Sequence, residues 1–76
     1  MITYNDVILK RHKFLIKENL KLNSISVLVG GLEYNVSEVI SENGIYYFVF
    51  TDDKYLLGRY RREKFLSDCA DKFEIV

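Results

Sequence analysis

The sequence predicts an α+β fold in which an N-terminal helix packs on a four-stranded antiparallel meander and a short helical or extended segment closes the chain. Three observations carry that reading. Apolar residues in the first 23 positions recur at helical spacing within a charge-rich stretch. From Ser24 onward the texture changes to β-branched and aromatic residues. Three pairs of turn formers, Gly30-Gly31, Asn43-Gly44 and Asp52-Asp53, then divide the remainder at strand-length intervals.

Thr3, Asn5 and Asp6 are side chains able to cap the helix start, and the charge-rich stretch runs on to Asn23. At about 100° per residue, Val7, Ile8, Phe14, Leu15 and Leu22 share one side and Lys10, Lys13, Lys17 and Lys21 the other. Leu9, Ile16 and Leu20 widen the apolar sector, which suggests two contact surfaces. The Val-Ile-Leu and Phe-Leu-Ile runs are also compatible with short strands.

Strands follow near 24–29, 32–41, 45–51 and 54–60. With a two-residue loop at each turn, Val29 faces Leu32, Val27 faces Tyr34 and Ile25 faces Val36. Ile40 then pairs with Tyr47, Val49 lies opposite both Glu38 and Leu56, and Ile45 lies opposite Tyr60. Side chains alternate along a strand, so all of these share one face, interrupted only by Glu38, Thr51 and Gly58. The N-terminal helix is the natural cover for that face. A short helix is expected near 61–70, then a final extended segment. A small SH3-like β-barrel is the alternative, because four or five short twisted strands can curl closed.

The other face is divided. Ser24, Ser26, Glu33, Asn35, Ser37 and Ser41 make its first half polar, whereas Tyr46, Phe48, Phe50, Tyr55, Leu57 and Arg59 fill the second. That second half is too apolar to stand in water without a reason. The first candidate cover is the C-terminal segment, through Phe65, Leu66, Phe73 and Ile75. A protein partner or a second copy comes next, and single-stranded nucleic acid stacking on the aromatics last.

The 76 residues allow one small domain, with 11 basic and 11 acidic side chains, one Cys and no Pro. A neutral balance argues against a strongly basic nucleic-acid coat and against an acidic DNA mimic. One His and one Cys cannot supply the ligands of a structural zinc site. The longest apolar run, Ile45 to Phe50, is far short of the about 20 residues of a membrane-spanning helix. With no secretory signal readable, a soluble cytoplasmic protein without membrane attachment is expected. The Pro-free, Lys-, Asn- and Ile-rich composition has the look of products of AT-rich bacteria, phages or mobile elements.

No catalytic constellation is advertised. His12 as a base and Cys69 as a nucleophile have nothing in the sequence to bring them together. Cys69 beside Ala70 reads as a small packing residue. Asp52-Asp53 has no third ligand in a metal-binding spacing and reads as a turn. Gly30-Gly31 lacks the Lys-Ser/Thr of a phosphate loop. The expectation is therefore a non-enzymatic protein-interaction module without cofactors, a regulator or inhibitor that occupies a partner protein's surface. Its contact residues would be Tyr46, Phe48, Tyr55, Arg59, Arg61 and Arg62, since aromatics and arginine make binding hot spots. The alternative is a nucleic-acid-binding module that adds Lys10, Lys13, Lys17, Lys21 and Lys64 as phosphate contacts. A homodimer is compatible with either, because small domains gain burial that way.

Overall fold

The computed structural model describes residues 6–52 and 55–76. It overturns the N-terminal helix. Residues Val7–Ile16 form strand β1. Then follow β2 (Leu20–Lys21), β3 (Val27–Leu28), β4 (Glu33–Ile40), β5 (Tyr46–Asp52), β6 (Tyr55–Arg61), helix α1 (Arg62–Asp68) and β7 (Phe73–Ile75). Five strands make one antiparallel sheet in the order β6-β5-β4-β1-β7, while β2 and β3 pair as a separate hairpin. Among the described residues the edge strands β6 and β7 have no ladder between them, so these strands form an open sheet.

Alternation explains why 7–16 is a strand. His12, Phe14 and Ile16 point to the core, and Arg11 and Lys13 point away, with a period of two. A lone helix gains most of its stability from tertiary packing. As a strand, the same residues gain a ladder to β4 along almost their whole length and bury Phe14 and Ile16 completely. The capping role expected of Asp6 disappears with the helix; Thr3 and Asn5 lie outside the described residues.

Because β1 takes the edge of β4, the expected hairpin between 24–29 and 32–41 does not form. Its turn survives: Leu32 N–H donates to the Val29 carbonyl at 3.3 Å and Gly31 has φ +90°. Gly30 is needed for a close approach, since a Cβ there would lie 2.8 Å from Glu18 Cα. Beyond the turn the chain pairs with β1 instead, and Val27 pairs back to Lys21.

The next hairpin is present with its register displaced. Its loop has three residues, Glu42-Asn43-Gly44, closed by Ser41 N–H to the Ile45 carbonyl at 2.8 Å, with Gly44 at φ +82°. A glycine in the left-handed region at the third loop position is the usual three-residue hairpin. Ile40 therefore pairs with Tyr46 rather than Tyr47. One residue of slip turns every β5 side chain over relative to β4. The β5–β6 pairing shifts too. Asp52 pairs with Tyr55 and Thr51 with Leu56, then an extra residue at Leu57 brings Gly58 opposite Phe50. Asp52 thus ends a strand, and Asp53 lies outside the described residues.

The core follows from these registers. Phe14, Ile16, Tyr34, Val36, Phe48 and Phe50 share one sheet face with Leu20, Leu22 and Leu28 from the hairpin and Phe65 and Cys69 from the α1 region. The short C-terminal helix lies where its sequence placed it. Phe65 is the hub: its ring centroid is 5.0 to 6.0 Å from those of Phe14, Phe48, Phe50, Tyr60 and Phe73. No helix among the described residues is long and apolar enough to cross a membrane.

Candidate protein-interaction surface

The six contact residues expected from the sequence do not form one patch. Phe48 is only 4% exposed, set edge-on against Phe14 at 5.2 Å and Phe65 at 5.7 Å, so it belongs to the core. The C-terminal segment is its cover, through Phe65 and Phe73; Leu66 and Ile75 stay exposed. Tyr46 and Arg62 sit together at the margin of the same face, with the guanidinium carbon 3.9 Å from the ring centroid.

Arg62 also donates to Glu38 Oε2 at 2.7 Å, while His12 Nε2 lies 3.0 Å from Oε1 of the same carboxylate. A carboxylate only accepts, so Nε2 carries the hydrogen. The His12 hydrogen bond holds the Glu38 carboxyl below its ordinary range, burial opposes that shift, and Arg62 reinforces it. This cluster ties β1, β4 and α1 together, and both carboxylate oxygens are engaged.

Arg59 and Arg61 point to the opposite face. Arg59 stacks over Tyr47 at 4.1 Å and donates to Asp6 Oδ2 at 3.3 Å. Arg61 is exposed. The lysines do not line up either. Lys10 pairs with Glu38 and Lys13 with Asn35, which places them on opposite sheet faces; Lys17 follows β1, Lys21 lies on β2 and Lys64 on α1. The basic stripe expected from helical spacing thus has no common surface. Cys69 is buried in the core, and burial raises its thiol pKa. Among the described residues no group of three or more His, Cys, Asp and Glu side chains is placed to hold a metal.

One expected contact residue, Tyr55, does stand in solvent, 73% exposed at the start of β6, with Leu56 beside it also exposed. The structure sets a second exposed segment against this strand. Asn23 Oδ1 accepts from Ile25 N–H at 2.9 Å and Ser26 N–H at 2.8 Å, an Asx turn. Its Nδ2 donates across to the Leu57 carbonyl at 3.1 Å. A single side chain therefore shapes the tip of the β2–β3 hairpin and fastens it to β6.

The fastened loop displays Ile25, 90% exposed, with Val27, Val29 and Leu32 exposed behind it. Two further bonds hold the hairpin's far end: Val29 N–H to Tyr34 Oη at 2.8 Å and Gly30 N–H to Asn19 Oδ1 at 2.8 Å. These aliphatics were expected inside, on the buried face of the meander. Leu28 alone turns inward on this strand, because its pairing to Leu20 closes the hairpin over the core. The signal in the sequence is Asn23, a turn former ahead of Ser24-Ile25-Ser26, in a segment whose texture otherwise reads as one strand.

A scan against protein-family models finds no match for this chain, and searches of curated proteins and of solved structures find none either.

Proposed function

We propose that this protein is a non-enzymatic protein-interaction module, a regulator or inhibitor that acts by occupying a partner protein's surface. The observation that supports it most is the Asn23 clamp. An isoleucine standing almost wholly in solvent, on a loop held by three side-chain hydrogen bonds and fastened to β6, the strand that Tyr55 begins, is an apolar contact prepared in advance. Preformed loops lose less conformational entropy on binding, which favours affinity. Ile25 and Tyr55 are its centre.

The nucleic-acid alternative has less in its favour. Its stacking platform required Phe48 and Phe50 in solvent, and both are buried. Its phosphate contacts required a lysine stripe, and the lysines are dispersed over both sheet faces, the hairpin and α1.

The experiment is affinity capture from host extract, with and without nuclease, followed by mass spectrometry of bound proteins. Ile25→Asp and Tyr55→Ala should each abolish capture of a partner that the wild type retains, with the melting temperature within a few degrees of wild type. Both side chains are exposed, so their replacement leaves the core intact. Capture that survives both substitutions, or that vanishes with nuclease, removes the proposal.

A further inference from the structure

The outer edge of β1 is paired over only part of its length. On one side β1 pairs with β4 from Val7 to Leu15. On the other, β7 covers Phe14 to Ile16, and Val76 N–H donates to the Lys13 carbonyl at 2.9 Å. From Val7 to His12 this outer edge has no ladder among the described residues. Six residues is about the length of an ordinary strand. Val7 and Leu9 are 58% and 49% exposed, and Lys10 and Arg11 also stand in solvent.

We propose that this edge takes up an extended segment of another protein as an added strand, in line with β7, and that the segment carries carboxylates opposite Lys10 and Arg11. An unpaired strand edge is a template of backbone donors and acceptors, and strand addition is a recurrent mode of peptide recognition. The residues on the edge choose among occupants. Two copies of this chain paired edge to edge about a twofold axis over Val7 to His12 would set each Lys10 diagonally across from the other copy's Arg11, and like charges across a strand pair are destabilising. Lysine on an edge and a bulge, here between Ile8 and Lys10, are also the devices that keep edges from pairing with themselves. An acidic strand converts that repulsion into attraction. Nucleic acid would gain the two charges but meets the aliphatic side chains of Val7, Ile8 and Leu9 and no Phe, Tyr or Trp ring on this stretch.

This inference rests on the protein-binding reading but uses a surface separate from the Ile25 loop, so the two can fail independently. The probe is a fluorescein-labelled octapeptide with a central Glu-Glu pair flanked by Val, which presents one carboxylate to each sheet face, followed by anisotropy and by amide hydrogen exchange. Wild type should bind it, with slowed exchange confined to amides between Val7 and Lys13. Lys10→Glu combined with Arg11→Glu should weaken binding at least tenfold. Lys21→Glu combined with Lys64→Glu makes the same change in net charge away from the edge and should leave binding within twofold.

Absence of binding, equal loss in both double variants, protection elsewhere in the chain, or equal affinity for a Lys/Val octapeptide or a dT oligonucleotide overturns the proposal. So does a dimer mass in light scattering that the Lys10 and Arg11 substitutions abolish, since the edge would then belong to a second copy. If the octapeptide fails while Ile25→Asp still destroys partner capture, the edge inference falls and the interaction reading stands.

Discussion

Glu38 is the residue whose role changed most. In the expected meander it interrupts an apolar face; in the structure it is the joint between β1, β4 and α1. Its folded carboxyl titrates below the ordinary range, chiefly through the hydrogen bond from His12. Such a group stabilises the fold above its unfolded pKa, and the contribution is lost as pH falls through the lower folded value. Glu38→Gln should therefore cost about 1.5–3 kcal/mol at pH 7, the range for a hydrogen bond to a charged group. It should also flatten the acid limb of stability, because the variant has no carboxyl to protonate. Urea unfolding at pH 7 and pH 3 tests this: an unchanged midpoint at pH 7 would show that the cluster adds nothing.

Gly58 is a second position where one residue decides. It has φ +155°, and a Cβ would lie 2.5 Å from Asn23 Nδ2 and 3.1 Å from Leu22 Cδ2. Gly58→Ala should displace the Asn23 clamp and lower stability by about 1–3 kcal/mol, the order for backbone strain at one residue. Amide exchange at Ile25 and Ser26 should accelerate in the same variant; unaltered exchange would show that the clamp tolerates the methyl group.

Among the elements, α1 has the least intrinsic support. It has seven residues, no side-chain hydrogen bond at its N-cap Arg61, and one buried residue, Phe65. A helix this short is marginal alone. Its attachment is the aromatic hub, with Tyr60 donating to Asp68 Oδ2 at 3.1 Å from the adjoining strand. Phe65→Ala should lose about 3–5 kcal/mol, the range for truncating a buried phenylalanine. In a small domain that is much of the total stability. Calorimetry reads the loss; a shift of only one or two degrees would mean that the α1 region closes over the vacancy. The same element explains the aromatic half-face: Phe48 and Phe50 look like a binding platform only when α1 and β7 are ignored.

For the whole molecule, the separation of charges over different surfaces bears on nucleic acid. A fluorescent single-stranded oligonucleotide titrated at 50 and 200 mM salt should show no saturable binding, because the lysines share no surface. Affinity that falls with a log–log slope of about −0.7 per phosphate contact would reverse that expectation. The sequence by itself determined the strand-rich texture from residue 24 onward, the turns at Gly30-Gly31 and Asn43-Gly44, the short C-terminal helix, and Tyr55 as an exposed candidate. Those features are local, set by glycine at positive φ and by runs of β-branched and aromatic residues. It did not determine the N-terminal element, because Val7–Ile16 satisfies both a 3.6-residue and a two-residue period, and only the available edge of β4 decides between them. Nor did it determine which face of β5 lies inside, since one further loop residue turns the whole strand over. Of the proposed interaction surface, Tyr55 was legible in the sequence and Ile25 was hidden. Only tertiary structure, by giving β4 to β1, forces the hairpin outward and leaves its aliphatics in solvent.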